Sequence, residues 1–107
     1  MIINQYEVVI VNRDPTIGSE IRKTRPCLVI SPNEINHNLR TVIIAPITSK
    51  SKSYPTRVLI RLNDEENWVV IDQIRSINKR RILRVTQTIS ELEVEAVKSV
   101  IKETLVD

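Results

Sequence analysis

Residues 14–32 read Asp-Pro-Thr-Ile-Gly-Ser-Glu-Ile-Arg-Lys-Thr-Arg-Pro-Cys-Leu-Val-Ile-Ser-Pro, a charged loop that runs directly into an apolar, β-branched strand. The loop contains the only glycine of the chain, Gly18, at a position suited to a backbone with positive φ. Pro26 restricts the preceding residue, Arg25, to extended conformations just where the strand begins. Because loops anchored on a rigid strand often carry function, we predict an anion-binding segment here, with an ordinary solvated loop as the alternative.

The composition of the chain is that of one small domain, which we expect to span residues 1–107. Apolar residues make up 41% of the sequence, enough for one core, and no apolar run is long enough to span a membrane. The single cysteine, Cys27, lies in an apolar run and is expected to be a buried thiol. The N-terminus lacks the pattern of a signal peptide. We therefore expect a cytoplasmic protein without membrane association.

Positive charge is concentrated in the first part of the chain. The net charge is +3, but residues 1–62 hold nine Lys or Arg against four Asp or Glu, whereas residues 63–107 hold seven against nine. The N-terminal part and the central loops are therefore expected to face an anionic partner.

Apolar β-branched runs and period-two alternation predict a largely antiparallel sheet. The predicted strands are residues 6–11, 26–30, 41–45, 56–62, 68–71 and 82–86. Between them we expect basic loops at 12–24 and 46–55, an acidic turn at 63–67 and a basic turn at 78–81. Capping boxes at Ser31/Glu34 and Ser90/Glu93 predict helices near 31–37 and 90–105. The pattern favours an α+β fold, a strongly bent antiparallel half-barrel sheet with the C-terminal helix against it.

Several kinds of active site are excluded by residue supply. One histidine and one cysteine cannot form a zinc site, and a chain with one glycine has no phosphate-binding glycine loop. His37 lies among asparagines, in a poor context for a catalytic triad. We therefore expect no metal and no cofactor. The remaining inventory of Arg, Thr, Ser, Glu and Asp fits phosphoryl transfer on RNA, in which the ribose 2′-hydroxyl is the nucleophile, although the residues alone indicate only an anion-binding α+β domain.

Three ordered motifs resemble the MazF/PemK toxins, sequence-selective endoribonucleases of bacterial type II toxin–antitoxin systems. The first is the Asp-Pro-Thr-x-Gly-Ser-Glu…Arg-Pro block of residues 14–32. The second is Val-Ile-Ile-Ala-Pro-Ile-Thr-Ser at residues 42–49, and the third is Asp-Gln-Ile-Arg-Ser-Ile-Asn-Lys-Arg-Arg-Ile at residues 72–82. The resemblance implies a sheet half-barrel of the SH3-like, CcdB/PemK type and metal-independent cleavage of single-stranded RNA. The expected products are 2′,3′-cyclic phosphate and 5′-hydroxyl ends.

The resemblance also implies which residues form the site. The family's catalytic pair falls on Arg25 and Thr48, and Glu20 matches an acid of the first loop. Because arginine stays protonated in proteins, we assign Arg25 to electrostatic stabilisation of the phosphate and take Glu20 as the first candidate for the general base. We expect substrate contacts from Ser19, Arg22, Lys23, Thr24, Ser49, Lys50, Lys52, Asp72, Gln73 and Arg75.

The chain departs from the family pattern in several places. The first strand opens with Tyr6-Glu7 where the family usually has Gly-Asp or Gly-Glu. The chain also has Asn78 where Asp is common, Val70 where some relatives use Arg, and Ser19 where some use His. The last three departures favour the mechanism based on Arg and Thr over the one based on Asp, Arg and His.

The family resemblance implies two protein partners. These are a second copy of the chain, giving a homodimer, and a cognate small acidic antitoxin whose tail covers a basic, partly apolar groove. Two alternatives from other classes remain at this stage: a non-enzymatic gyrase poison of the CcdB type, and an RNA-binding module without activity.

Overall fold

The computed structural model describes residues 1–12 and 23–106. Among these residues, seven strands and two α-helices follow one another in chain order. They are β1 (Glu7–Asn12), β2 (Thr24–Val29), α1 (Asn33–Asn38), β3 (Thr41–Thr48), β4 (Arg57–Leu62), β5 (Glu65–Val70), β6 (Arg75–Asn78), β7 (Ile82–Thr88) and α2 (Glu91–Ile101). Short 3₁₀ turns at Ile71–Gln73 and Lys79–Arg81 flank β6, and a π-helical turn, Lys102–Val106, extends α2.

The strands form one antiparallel sheet in the order β4-β5-β3-β2-β1-β7, with β6 beside the first half of β3. Strand β3 changes partner along one of its edges: Ile44 pairs with β6, whereas Ile47 pairs with β5. This change bends the sheet into the predicted half-barrel.

The two faces of the curled sheet have separate cores. On one face, Leu28, Ile47 and Ile60 pack with Val97 of α2. The other face contains a second cluster, made of Val9, Val11, Cys27, Val29, Val42, Ile44, Ile77 and Ile82 with Ile3. Cys27 is buried there, as predicted. None of the helices in the described residues is long and apolar enough to cross a bilayer.

Strand β3 runs further than the sequence predicted, because Pro46 does not end it. Pro46 lies between Ile44, the last residue paired with β6, and Ile47, the first paired with β5. Proline interrupts a ladder because it lacks an N–H donor. Pro46 lies at the point where the neighbour of β3 changes from β6 to β5, so β3 continues to Thr48.

The sequence analysis missed strand β6, since it predicted no strand between residues 71 and 82 and assigned Asn78 to a basic turn. Strand β6 forms because Ile77 enters the second core opposite Val42 of β3. The acidic turn is also shorter than predicted. Asn63 and Asp64, both at positive φ, make the hairpin, and β5 begins at Glu65. Asn and Asp tolerate this backbone conformation better than most residues.

The two predicted capping boxes have different outcomes. The Ser90/Glu93 box is present and begins α2. The Ser31/Glu34 box is wrong, since α1 begins after Pro32 without a side-chain cap. The buried Ser31 hydroxyl instead contacts the Asn36 side chain and accepts a hydrogen bond from the Ile43 N–H at 3.0 Å. A tertiary contact with β3 therefore replaces the local cap.

Candidate active site

A cavity of about 350 Å³ opens at one end of the second core. Its floor is apolar and its rim carries two guanidinium groups and an amide. The lining residues are Val11, Arg25, Cys27, Ile44, Pro46, Gln73 and Arg75. Three predicted site residues, Arg25, Gln73 and Arg75, are thus brought together from β2, the Ile71–Gln73 turn and β6.

The strand register explains why these side chains share one face. Arg25 is opposite Val11 in the β1–β2 pair, and Arg75 is opposite Ile44 in the β3–β6 pair. Successive residues of a strand point to opposite faces, so Arg25 lies on the same face as the buried Cys27. Both arginines therefore extend the buried face of the sheet toward its open end.

Pro26 accounts for the opening of the sheet at this point. The Ile30 N–H donates to the Ile43 carbonyl at 2.9 Å, so alternate residues of β2 direct their backbone groups toward β3. Pro26 is in this set but has no N–H to donate. The paired register ends next to it, at Cys27 and Pro46. The two strands can then separate, which leaves room for the cavity.

Thr48 lies two residues beyond Pro46, at the end of β3. The observed β2–β3 pairing ends at Pro46 and does not reach Thr48, which is not among the described residues that line the cavity. Strand alternation places the Thr48 side chain on the same face of β3 as Ile44 and Pro46. The Thr48 hydroxyl accepts a hydrogen bond from the Lys50 N–H at 3.1 Å and donates to the Lys50 carbonyl at 3.4 Å. Thr48 therefore also holds the start of the loop at residues 49–56.

The other predicted site residues are spread around this end of the sheet. Lys23 and Thr24 stand at the start of β2, and Thr24 pairs with Asn12. Ser49, Lys50 and Lys52 are exposed in the loop after β3. Ser19, Glu20 and Arg22 lie outside the described residues. The roles of all these side chains stay predictions.

Asp72 makes a contact that its sequence position did not indicate. Its carboxylate forms an ion pair with Arg57 of β4, whose guanidinium also donates to the Thr56 hydroxyl at 3.2 Å. Partial burial acts to raise the pKa of the Asp72 carboxyl. Hydrogen bonds from Thr56, its own backbone and Arg57, together with the Arg57 charge, outweigh burial and leave that pKa below its ordinary value.

This lowered pKa predicts how Asp72 contributes to stability. Because the folded state favours the carboxylate, the contribution is present at neutral pH and disappears as the pH falls through the lowered pKa. Since the Asp72 side chain is 42% exposed, we expect Asp72→Asn to lower the free energy of unfolding by about 1 kcal/mol or less. Urea unfolding at several pH values measures this. If the difference in the free energy of unfolding between wild type and Asp72→Asn became larger at acidic pH, the prediction would be wrong.

The sequence analysis missed Arg57 and the apolar floor of the cavity. Arg57 looked like one exposed position of an alternating strand, and only the fold shows that it faces Asp72. The floor residues Val11 and Ile44 had a detectable signal, since both lie in β-branched runs, but their convergence depends on strand order. Among the described residues, no group of three or more His, Cys, Asp or Glu side chains is placed to hold a metal ion.

Comparison with known proteins identifies similar sequences. The chain is 34% identical over 71 residues to the "Endoribonuclease toxin MazF" of Escherichia coli (strain K12), a match that covers 66% of this chain and 64% of that protein, so under two thirds of its length. It is 31% identical to the "Endoribonuclease EndoA" of Bacillus subtilis (strain 168), over 94% of this chain and 89% of that protein.

A solved structure has the same fold. The structure titled MazE-MazF (Form-II) from Deinococcus radiodurans superposes with a TM-score of 0.81 at 22% identity, covering 99% of this chain and 97% of that one. The sequence profile described as PemK-like, MazF-like toxin of type II toxin-antitoxin system matches residues 4–105. Because that match takes in nearly the whole chain, this protein belongs to the PemK-like, MazF-like toxins of type II toxin–antitoxin systems.

Proposed function

We propose that this chain is a toxin endoribonuclease that cleaves single-stranded RNA in a sequence-selective way, as one cytoplasmic domain. The observation that carries the proposal is the cavity at the open end of the sheet, which is lined by Arg25, Gln73 and Arg75. Two relatives named as endoribonucleases support it. A pair of guanidinium groups suits a phosphodiester, because their N–H donors match phosphate oxygens in both charge and geometry.

The proposed reaction needs no metal ion and no cofactor, and water is its only other participant. The ribose 2′-oxygen attacks the adjacent phosphorus, and the bond from phosphorus to the 5′-oxygen of the next nucleotide breaks. The products are a 2′,3′-cyclic phosphate and a 5′-hydroxyl. Glu20 is the proposed acceptor of the 2′-hydroxyl proton. Arg25 stabilises the negative charge that develops on the phosphate oxygens. The leaving oxygen takes up a proton from water, and the hydroxide that remains receives the proton from Glu20, which restores the carboxylate.

Incubation of the purified protein with a long single-stranded RNA tests this function. We expect discrete fragments, in EDTA as well as without it, and 5′ ends that a polynucleotide kinase labels without prior phosphatase treatment. The exposed Arg61 on β4 offers a control, and Arg61→Gln should cleave like wild type. Intact RNA under all conditions would contradict the proposal. Inhibition of gyrase by the same preparation would then favour the gyrase-poison alternative, whereas RNA binding alone would favour the non-catalytic module.

Thr48 is proposed as the second catalytic residue. Thr48→Val keeps the shape of the side chain and removes the hydroxyl that we expect to donate to the phosphate. Loss of a hydrogen bond to a charged group costs about 1.5–3 kcal/mol, which corresponds to a decrease in kcat of about 10- to 100-fold.

The Thr48→Ser variant separates catalysis from loop anchoring, since it retains the hydroxyl that also binds Lys50. We expect it to keep most of the activity. If Thr48→Val cleaved RNA at the wild-type rate, the hydroxyl would have only its structural role.

We also propose a homodimer that is inhibited by a small acidic antitoxin. Leu59 and Leu92 remain exposed in one copy and line the same groove between β4 and α2, an apolar surface that supports an interface with another protein. The cations around the cavity suit an acidic peptide. The Deinococcus radiodurans relative was solved as MazE-MazF.

Analytical ultracentrifugation at micromolar concentration should therefore report twice the mass of the chain, and a monomer would refute the dimer. Binding of the antitoxin should weaken as salt increases and should abolish RNA cleavage. A saturated complex that cleaved RNA at the full rate would contradict inhibition by coverage of the site.

A further inference from the structure

Arg57 connects three parts of the chain beside the cavity. Its guanidinium pairs with Asp72 in the Ile71–Gln73 turn and lies 5.5 Å from the centre of the Tyr54 ring. Its backbone N–H donates to the Tyr54 carbonyl at 3.0 Å. The side chain is only 17% exposed, and its Nε atom is buried without a hydrogen-bond partner in the described residues. Asp72 is the carboxylate that pairs with this enclosed guanidinium in the described residues, and the charge-assisted hydrogen bond holds the two groups together.

The inner side of the Ile71–Gln73 turn is anchored in the core. Ile71 is buried, and its N–H donates to the Thr56 carbonyl at 3.0 Å. The bond that closes the turn, from the Ile74 N–H to the Ile71 carbonyl, is long at 3.4 Å, and the turn has no side-chain cap. Ile74, directly after Gln73, packs against the core that α2 covers, and the ion pair of Asp72 restrains the exposed side of the turn next to Gln73.

We infer that Arg57 is a positioning residue which, through Asp72, holds the Gln73 side chain at the cavity for contact with RNA. The inference rests on the proposed function and gives Asp72 a different role from the direct substrate contact predicted from sequence. Arg57 itself stays behind the turn, while Gln73 lines the cavity. An amide offers both a donor and an acceptor, which suits contact with a base edge.

Loss of the ion pair between Arg57 and Asp72 should displace the Gln73 side chain but not the Arg75 side chain. Arg75 belongs to β6 and is fixed by its pairing with Ile44 of β3, whatever the position of the turn. Gln73 has no strand pairing of this kind in the described registers and follows directly after Asp72. Gln73 therefore serves as the test residue and Arg75 as the internal control.

The test is a double-mutant cycle with RNA that carries a 2′-deoxy substitution at the cut site, so that binding is measured without cleavage. Arg57→Gln and Gln73→Ala are each expected to weaken binding about 3- to 10-fold, the range for one lost hydrogen bond. The Arg57→Gln/Gln73→Ala double variant should bind no more weakly than Gln73→Ala alone. In the Arg75→Ala background, by contrast, Arg57→Gln should weaken RNA binding by the same factor as it does in the wild type.

Arg61→Gln is the matched control for removal of an arginine from β4. Arg61 is 63% exposed and lies 3.8 Å from Glu66, also on the surface, so its replacement should leave RNA binding unchanged. Asp72→Asn should reproduce the effect of Arg57→Gln and is the milder change for folding, since Asp72 is more exposed. In the free protein, both variants should shift the NMR signals of the Gln73 side-chain amide, whereas Arg61→Gln should not.

Three outcomes would overturn the inference: wild-type binding by Arg57→Gln, an effect that adds fully to that of Gln73→Ala, or unchanged Gln73 amide signals. Failure of the proposed function gives a different pattern. A wild-type protein that bound RNA without cutting it would refute the proposed nuclease activity. The double-mutant cycle on binding would still show whether Arg57 positions Gln73. If RNA did not bind at all, the role in recognition would fail, and the amide signals alone would report whether Arg57 positions Gln73.

Discussion

Arg25→Ala is expected to lower the rate of RNA cleavage by about 100- to 1,000-fold, the usual effect of removing a donor aimed at charge that develops in a transition state. Arg25 is half-buried at the cavity, where its guanidinium is partly shielded from water. Single-turnover cleavage of a short RNA measures the chemical step directly. The loss should appear mainly in kcat, because the charge on the phosphate is greatest in the transition state.

The fold should survive the loss of the Arg25 side chain. The backbone of Arg25 is held opposite Val11 in the β1–β2 pair, and this pairing does not depend on the guanidinium. Circular dichroism and thermal unfolding provide the control. Arg25→Lys keeps the charge but not the planar fork of donors, so it should recover only part of the activity. A folded Arg25→Ala variant with near-normal activity would remove Arg25 from the catalytic site.

An RNA in which deoxyribose replaces the ribose on the 5′ side of the cut is expected to resist cleavage at that linkage completely. The substitution removes the oxygen that forms the new bond to phosphorus, so no arrangement of Arg25 and Thr48 can replace it. The same RNA should still bind, because the phosphates and bases are unchanged. Gel analysis of end-labelled RNA measures cleavage, and competition with unmodified RNA measures binding.

The position of the substitution is its own control. A deoxyribose one nucleotide further from the cut should reduce the rate little, since only one 2′-hydroxyl is adjacent to the scissile phosphate. Cleavage of the RNA substituted at the cut would rule out attack by the 2′-hydroxyl. Water would then have to be the nucleophile, and fragments with 5′-phosphate ends would indicate that the other phosphorus–oxygen bond breaks.

The sequence by itself determined the elements whose signals are local. Runs of Val and Ile gave most of the strands, and Ser90 with Glu93 gave the start of α2. The three motifs were sufficient to indicate the family and therefore the half-barrel. The family motif pointed to Arg25, and the proline after it predicted a strand entry there, which is a property of adjacent residues.

Only the tertiary structure decided which distant residues meet. Strand β6 exists because Ile77 completes the second core opposite Val42, and Pro46 is tolerated within β3 because the neighbouring strand changes beside it. Arg25 and Arg75 are 50 positions apart in the chain and line one cavity because β3 lies between their strands.

Tertiary structure also explains why the contact of Asp72 differs from the one predicted from sequence. The motif position of Asp72 suggested a substrate contact, but β4 brings Arg57 to its carboxylate. Ser31 likewise had the pattern of a helix cap and instead binds the Ile43 N–H of β3. A side chain that can satisfy a local or a distant partner has no preference that is visible in sequence. Strand pairing then decides, because it brings the distant partner within hydrogen-bonding distance and fixes it there.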